Sequence, residues 1–166
     1  LIWRRKNFLK LYSGIFSECL AQLSSDELQG TVEYGTESEF RSVESEEELC
    51  DAFSQALIRS SSSDRQRRYT TVGPHTHDVV CTLNEKSTRA FASQGQHRAF
   101  VLALKIAEIQ LINAQLGFFP ILLLDDVSSE LDKGRNEDLM RYLNTAGSQI
   151  FITTTDKRWI QLGDNQ

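Results

Sequence analysis

PILLLDDVSSELDK, residues 120–133, decides how this chain folds. Residues 121–124 form an unbroken aliphatic run of the kind found in a central parallel strand covered on both faces. The run ends in two adjacent acids, Asp125 and Asp126, with Glu130 and Asp132 just beyond. In open α/β sheets ligands bind past the carboxyl ends of the strands, which is where this pair stands. Two ionised neighbours repel unless a cation or a charged ligand compensates them, and a divalent metal is the natural partner. In a nucleotide-binding reading Asp125 contacts Mg2+ directly or through water. Asp126, pointing the other way, orients and polarises the water that attacks a γ-phosphate. A plainer reading leaves both acids as caps for the helix that follows.

Working outward, residues 134–145 carry a helical pattern and residues 149–153 a second strand. Strand, helix and strand with short links predict a parallel sheet joined by a crossover. Upstream, a helix is predicted from about Gln96 to Leu116, closed by Gly117. Apolar residues occupy nearly its whole circumference, with Arg98, Lys105 and Glu108 as a narrow polar stripe, so burial on most sides is expected. The helix opens on SQGQ, residues 93–96. Ser93 is placed as an N-cap and Gly95 lets another backbone approach closely. The N–H groups of the first turn carry the positive end of the helix dipole. Phosphate is the obvious anion for such a terminus, although an ordinary strand-to-helix turn would look the same.

The first part of the chain reads differently. Phe8, Leu11, Tyr12, Ile15, Phe16, Cys19, Leu20 and Leu23 fall at spacings of three and four, which predicts an amphipathic helix over the first 23 residues. GTVEYG, residues 30–35, reads as a short strand bracketed by glycine. Ser45 followed by Glu48 resembles a capping box, and Leu49, Phe53, Ala56 and Leu57 mark one face of a helix ending near Ser60. SSSSDRQRR, residues 60–68, then reads as a polar loop. Val79, Val80, Thr82 and Leu83 predict a strand, NEKS a turn, and residues 88–91 the return strand. The expected organisation is a helical segment over 1–62 and an α/β part over 63–166.

Composition limits the function classes. With 166 residues and 40% hydrophobic content the chain can build a core of ordinary domain size. A net charge of -5 argues against coating nucleic acid by bulk positive charge. Local basic runs remain, with Arg4, Arg5, Lys6 and Lys10 near the start and Arg65, Arg67 and Arg68 further on, opposed by the acidic block from Glu44 to Asp51. Such runs are also what solvated faces carry. Cys19, Cys50 and Cys81 are far apart and odd in number, which suits a reducing compartment. No stretch approaches the ~20 apolar residues of a membrane span, so no membrane contact is expected. The absence of an initiator Met suggests a fragment of a longer protein.

TTVGPHTHDV, FASQGQHRAFVLALKIAE, PILLLDDVSSELD and QIFITTTD follow one another over about residues 69–157. In this order and spacing they resemble the C-terminal half of ABC-type ATPases, and most of all the RecF family, relatives of SMC and Rad50. The RRKNFLKLY stretch is similar to the same family's helical lobe, less specifically. The implied fold class is α/β, the C-terminal half of a P-loop ABC-type ATPase head, a parallel sheet with flanking helices, preceded by a helical lobe segment.

By that resemblance Ser93, Gln94, Gly95 and Gln96 stand at the signature motif, which contacts the γ-phosphate of ATP bound to the opposing subunit. Asp125 stands at the Walker B position as the metal contact and Asp126 as the catalytic acid. Ser129, Glu130, Leu131 and Asp132 stand at the D-loop, and Thr155 at the place where many ABC proteins have a switch histidine. ATP and Mg2+ are the implied cofactors. An ATP-dependent homodimer, gapped or junction DNA, and the RecR and RecO proteins are the implied partners. The implied role is cytoplasmic, in recombinational repair, replication restart and the SOS response.

The sequence departs from that pattern in two places. RecF-like sequences usually read GPHRDD where residues 73–78 read GPHTHD, which leaves the role of the missing arginine in doubt. No G-x-x-x-x-G-K-[ST] loop occurs in residues 1–166, so the main cradle of the β- and γ-phosphates is missing from this chain. Weak ATP binding and negligible hydrolysis are therefore expected of it alone. Two other classes compete. His75, His77 and Asp78 offer an H-x-H metal pair for a hydrolase, although His97 is the only other histidine. A non-catalytic DNA- or partner-binding fragment is the second. An SMC- or Rad50-like head would need a long coiled coil before the signature, and residues 1–92 show no sustained heptads.

Overall fold

The computed structural model describes residues 1–24, 28–125, 133–145 and 147–155. Along the chain run α1 (Ile2–Leu23), β1 (Gly30–Gly35), α2 (Ser38–Arg41), α3 (Glu46–Arg67), β2 (Asp78–Leu83), β3 (Lys86–Ser87), α4 (Thr88–Phe91), α5 (Gln94–Leu116), β4 (Leu122–Leu124), α6 (Lys133–Thr145) and β5 (Ile150–Ile152). One sheet has the order β1-β2-β3, and β4 and β5 form a second, parallel pair. Two compact units result, residues 1–11 with 33–80 and residues 12–32 with 81 onward.

The first unit packs Ile2, Phe40, Leu49 and Ala56 at its centre, with Trp3, Tyr34, Val43, Phe53 and Val72 against them. Its main helix, α3, begins where the capping residue predicts, with the Glu48 N–H donating to Ser45 Oγ at 3.1 Å. The Glu48 carboxylate reaches back one residue further than a capping box requires and accepts from the Glu44 N–H at 3.2 Å. Replacing Ser45 with alanine should cost about 1 kcal/mol, read as a lowered midpoint in thermal unfolding.

The polar run after Ser60 is helical, which corrects the expected loop: α3 continues to Arg67. A carboxylate latch explains why. Asp64 accepts from Ser60 Oγ at 2.9 Å, from Thr71 Oγ1 at 2.7 Å and from the Thr71 N–H at 3.0 Å. The helix stops one residue later, at Arg68 in a left-handed conformation with φ 61°. The Thr71 hydroxyl, and after it Ser60, the Thr71 N–H and Arg67, hold the Asp64 carboxyl below its usual range. A lowered folded value means the latch is complete above the ordinary aspartate range and is lost as pH falls through that value. Asp64→Ala should therefore speed amide hydrogen exchange over residues 60–67 at neutral pH, leaving the first turns of α3 unchanged.

β2 turns into β3 through Asn84 and Glu85, both with positive φ, 47° and 65°, the conformation a two-residue hairpin loop demands. The return strand is only two residues long, shorter and earlier than the residues 88–91 expected. Those residues form α4 instead, because the Thr88 hydroxyl turns back to the Cys81 carbonyl at 3.1 Å and the Ala92 N–H closes a helical turn on Thr88.

In the second unit α1 and α5 meet through the rings of Phe16 and Phe100, whose centroids are 4.7 Å apart, and through the Tyr12 hydroxyl, which donates to the Leu104 carbonyl at 2.6 Å. Burial pushes the Cys19 thiol up to about 12. Gly30 lets β1 approach α1 closely, since a Cβ there would lie 2.5 Å from Leu20 Cδ2. α6 meets α5 where the Gln110 amide donates to the Tyr142 hydroxyl at 2.7 Å.

Two expectations about coverage change. α5 buries one face, Ala99, Phe100, Leu102, Ala103, Ile106, Ala107 and Leu111, and leaves Val101 and Leu116 exposed. It is also long and apolar enough, by length and composition only, to cross a membrane, contrary to the sequence reading. Its packed face and its Lys105–Glu108 ion pair are those of a core helix. β4 is covered on one face alone: Leu122 and Leu124 are buried while Leu123 is 72% exposed, beside Phe151 on β5. Alternation along a strand places these two on the same open side. Serine at both positions should reduce binding of a hydrophobic dye by the purified chain, read as loss of fluorescence enhancement.

Candidate functional site

The parallel pair positions the first half of the site. Leu122, Leu123 and Leu124 sit opposite Ile150, Phe151 and Ile152, and the ladder runs on with the Thr153 N–H donating to the Leu124 carbonyl at 2.9 Å. Asp125 and Thr153 are thus the next residues of two in-register strands, both at the carboxyl end. In-register neighbours of a parallel pair project to one side, and alternation assigns these two the open side of Leu123 and Phe151. The Thr153 hydroxyl donates to Asp125 Oδ1 at 2.5 Å. Asp125 is exposed, and its hydrogen bond to Thr153 engages one of its two carboxylate oxygens, Oδ1. A carboxylate with one oxygen hydrogen-bonded and the other open is a fitting donor for a hard divalent cation. Thr155 lies in a bend two residues further on, also exposed. Asp126, Ser129, Glu130, Leu131 and Asp132 lie outside the described residues.

The second half is the start of α5. Ser93 Oγ accepts from the Gln96 N–H at 3.2 Å and the Gln96 side chain accepts from the Ser93 N–H at 2.9 Å, a complete capping box. Ser93 and Gln96 therefore define where the helix begins and how its axis points. Gln94 and Gly95 follow the cap, and their N–H groups belong to the first turn, outside the helical ladder. With no acidic residue in that turn, the positive end of the dipole is uncompensated by the helix itself. Among the described residues, the side-chain hydrogen bonds of Ser93 and Gln96 join these two to each other, and that of Asp125 joins it to Thr153.

The GPHTHD stretch has a structural task that the sequence did not reveal. His77, with its side chain 1% exposed, uses both ring nitrogens: Nδ1 bonds the Tyr34 hydroxyl at 2.7 Å, and Nε2 meets Glu37 Oε2 at 2.8 Å and Thr36 Oγ1 at 3.2 Å. His75 Nε2 bonds the Thr70 carbonyl instead, at 2.8 Å. The H-x-H pair diverges, and no cluster of three metal-ligating side chains occurs among the described residues, which removes the basis of the hydrolase reading. Burial works against ionisation of Glu37. Its own backbone N–H, the Thr36 hydroxyl and His77 outweigh that effect and hold its carboxyl below the usual range.

No protein-family model matches the chain. Curated relatives do. The DNA replication and repair protein RecF of Citrifermentans bemidjiense is 40% identical over 173 aligned residues, covering the whole chain and 45% of that protein. The protein of the same name from Myxococcus xanthus is 57% identical over 106 residues, 61% of the chain and 28% of that protein. A solved structure of the recombination mediator protein RecF with ATP, in the RecFOR pathway, superposes with a TM-score of 0.77 at 30% identity, over 94% of this chain and 41% of that one.

The chain belongs to the RecF family.

Its fold is that of the C-terminal half of the RecF ABC-type ATPase head, a small parallel sheet with helices. The chain spans less than half the length of the RecF proteins it matches. A solved structure from the structural biochemistry of SMC ATPases has the same fold at 16% identity and a TM-score of 0.54, well below the RecF likeness in both measures.

Proposed function

We propose that this chain carries the signature, Walker B and D-loop half of the ATP site of a RecF protein acting in DNA repair and replication. The observation that most supports the reading is Asp125, held by Thr153 at the carboxyl end of the parallel pair, in a chain alignable to RecF over its whole length. Asp125 would hold Mg2+ by its second oxygen, and the bound cation would supply charge neutralisation for the triphosphate. Asp126 would act on the attacking water. Gln94 and Gly95 would present first-turn N–H groups to a γ-phosphate, with Ser93 and Gln96 fixing the helix start. Ser129 and Asp132 would cross the interface between two subunits, and Thr155 would stand near the nucleotide without the proton chemistry of a histidine.

Because no phosphate loop lies in residues 1–166, the cradle for the β- and γ-phosphates would come from elsewhere in the parent protein. ATP would be fully surrounded only when two heads close, so the nucleotide would act as glue and hydrolysis would release it. RecF membership supports the remaining parts of the reading: the parent protein would bind gapped or junction DNA, cooperate with RecR and RecO, and act in the cytoplasm in recombination and the SOS response. Light scattering of the full-length protein tests this reading. Dimers should form with ATP and Mg2+ and fall apart on hydrolysis; monomers under every nucleotide condition would refute it.

A further inference from the structure

We infer that Thr153 is a positioning residue for the metal-binding carboxylate: its hydroxyl fixes Asp125 by one oxygen and leaves the other to the cation. This rests on the proposed assignment of Asp125 to Mg2+ and goes beyond it. Three observations carry the inference. β4 and β5 pair in register up to Leu124 and Ile152, and the Thr153 N–H extends the ladder to the Leu124 carbonyl, so the two side chains are adjacent by construction. The Thr153 hydroxyl donates to Asp125 Oδ1 at 2.5 Å. Both residues stand one position past the buried Leu124 and its half-buried partner Ile152, and both are exposed.

An exposed aspartate has several accessible side-chain conformations, and a metal must select one at an entropic cost. The threonine hydroxyl makes that selection beforehand. A β-branched residue suits the task, because its Cβ substituents restrict χ1 and so aim the hydroxyl. The bond also ties the metal carboxylate to the strand leading to Thr155. Displacement of β5 along its axis would therefore change the carboxylate that meets the cation.

The test is Mn2+ titration of the full-length RecF-family protein at saturating ATP, followed by electron paramagnetic resonance, for the natural sequence, Thr153→Val, Thr153→Ser and Asp125→Asn. Outer partners of metal ligands typically change affinity ten-fold or more when removed. Thr153→Val keeps shape and loses the hydroxyl, so Mn2+ affinity should fall about 10-fold. Metal-free ATP affinity should be unchanged, and Thr153→Ser should restore Mn2+ binding to within about twofold of the natural protein. Natural affinity in Thr153→Val, with Asp125→Asn impaired, would overturn the positioning role and leave the metal assignment standing. Equal loss in the serine and valine variants would overturn it too, by showing that bulk and not the hydroxyl matters. Natural affinity in Asp125→Asn would remove the metal assignment and the inference with it.

Discussion

Phe16→Ala should lower the stability of the chain by about 3–5 kcal/mol, the range for emptying a buried aromatic site. Phe16 has no exposed surface, and its ring lies against Phe100 with the planes at 57°. It also bounds the space beside Gly30, so its loss opens a void among α1, β1 and α5 that none of the three can fill alone. The measurement is urea unfolding of the purified chain. Leu116→Ala, at an exposed position on α5, should stay within about 0.5 kcal/mol of the natural chain. Similar losses for the two would mean that α1 and α5 do not meet through Phe16.

Ser93→Arg should abolish ATP-driven dimerisation of the full-length protein and reduce hydrolysis by at least about 100-fold, the scale set by removing one preorganised donor from a charge-stabilising site. The substitution acts twice. It removes the hydroxyl that accepts from the Gln96 N–H, loosening the first turn of α5, and it sets a long cation where the first-turn N–H groups would meet a γ-phosphate. ATP binding in each separate subunit should persist, because on the proposed reading its cradle would come from outside residues 1–166. Sedimentation with ATP distinguishes the outcomes: monomers that still bind nucleotide agree with the prediction, whereas dimers of natural affinity oppose it.

Several features were legible because local chemistry and tertiary structure agree. Ser93, Gln96 and Gly117 announce both ends of α5: the capping box is complete and Gly117 takes the left-handed φ of 74° that favours glycine. The apolar run before Asp125 announced a parallel strand, and β4 pairs with β5 as expected. Other features depend on partners distant in sequence. Residues 60–67 look like loop by composition, but Asp64 is tied to Ser60 within the helix and to Thr71 beyond it. Coverage of β4 was overestimated because an aliphatic run reports what a strand is suited to, not how many layers lie against it. His77 looked like half of a metal pair because its real partners, Tyr34 and Glu37, are about forty residues away along the chain.

Thr153 belongs to the same class. Its hydroxyl bond to Asp125 spans 28 positions and follows from register, which no single strand's sequence displays. A usable signal was present all the same: two strands of a predicted parallel pair, one ending in Asp125 and the other running into a threonine series. Once the strands are aligned by their apolar residues, the first threonine falls beside the first acid.

The central claim is that this chain holds one half of a divided ATP site. It is tested most directly by assaying phosphate release from Mg2+-ATP with the purified chain, alone and after joining it to the phosphate-loop half of a RecF relative. The account predicts no turnover above background from the chain alone and measurable turnover once the phosphate loop is supplied. Steady hydrolysis by residues 1–166 alone, abolished by Asp125→Asn, would contradict it.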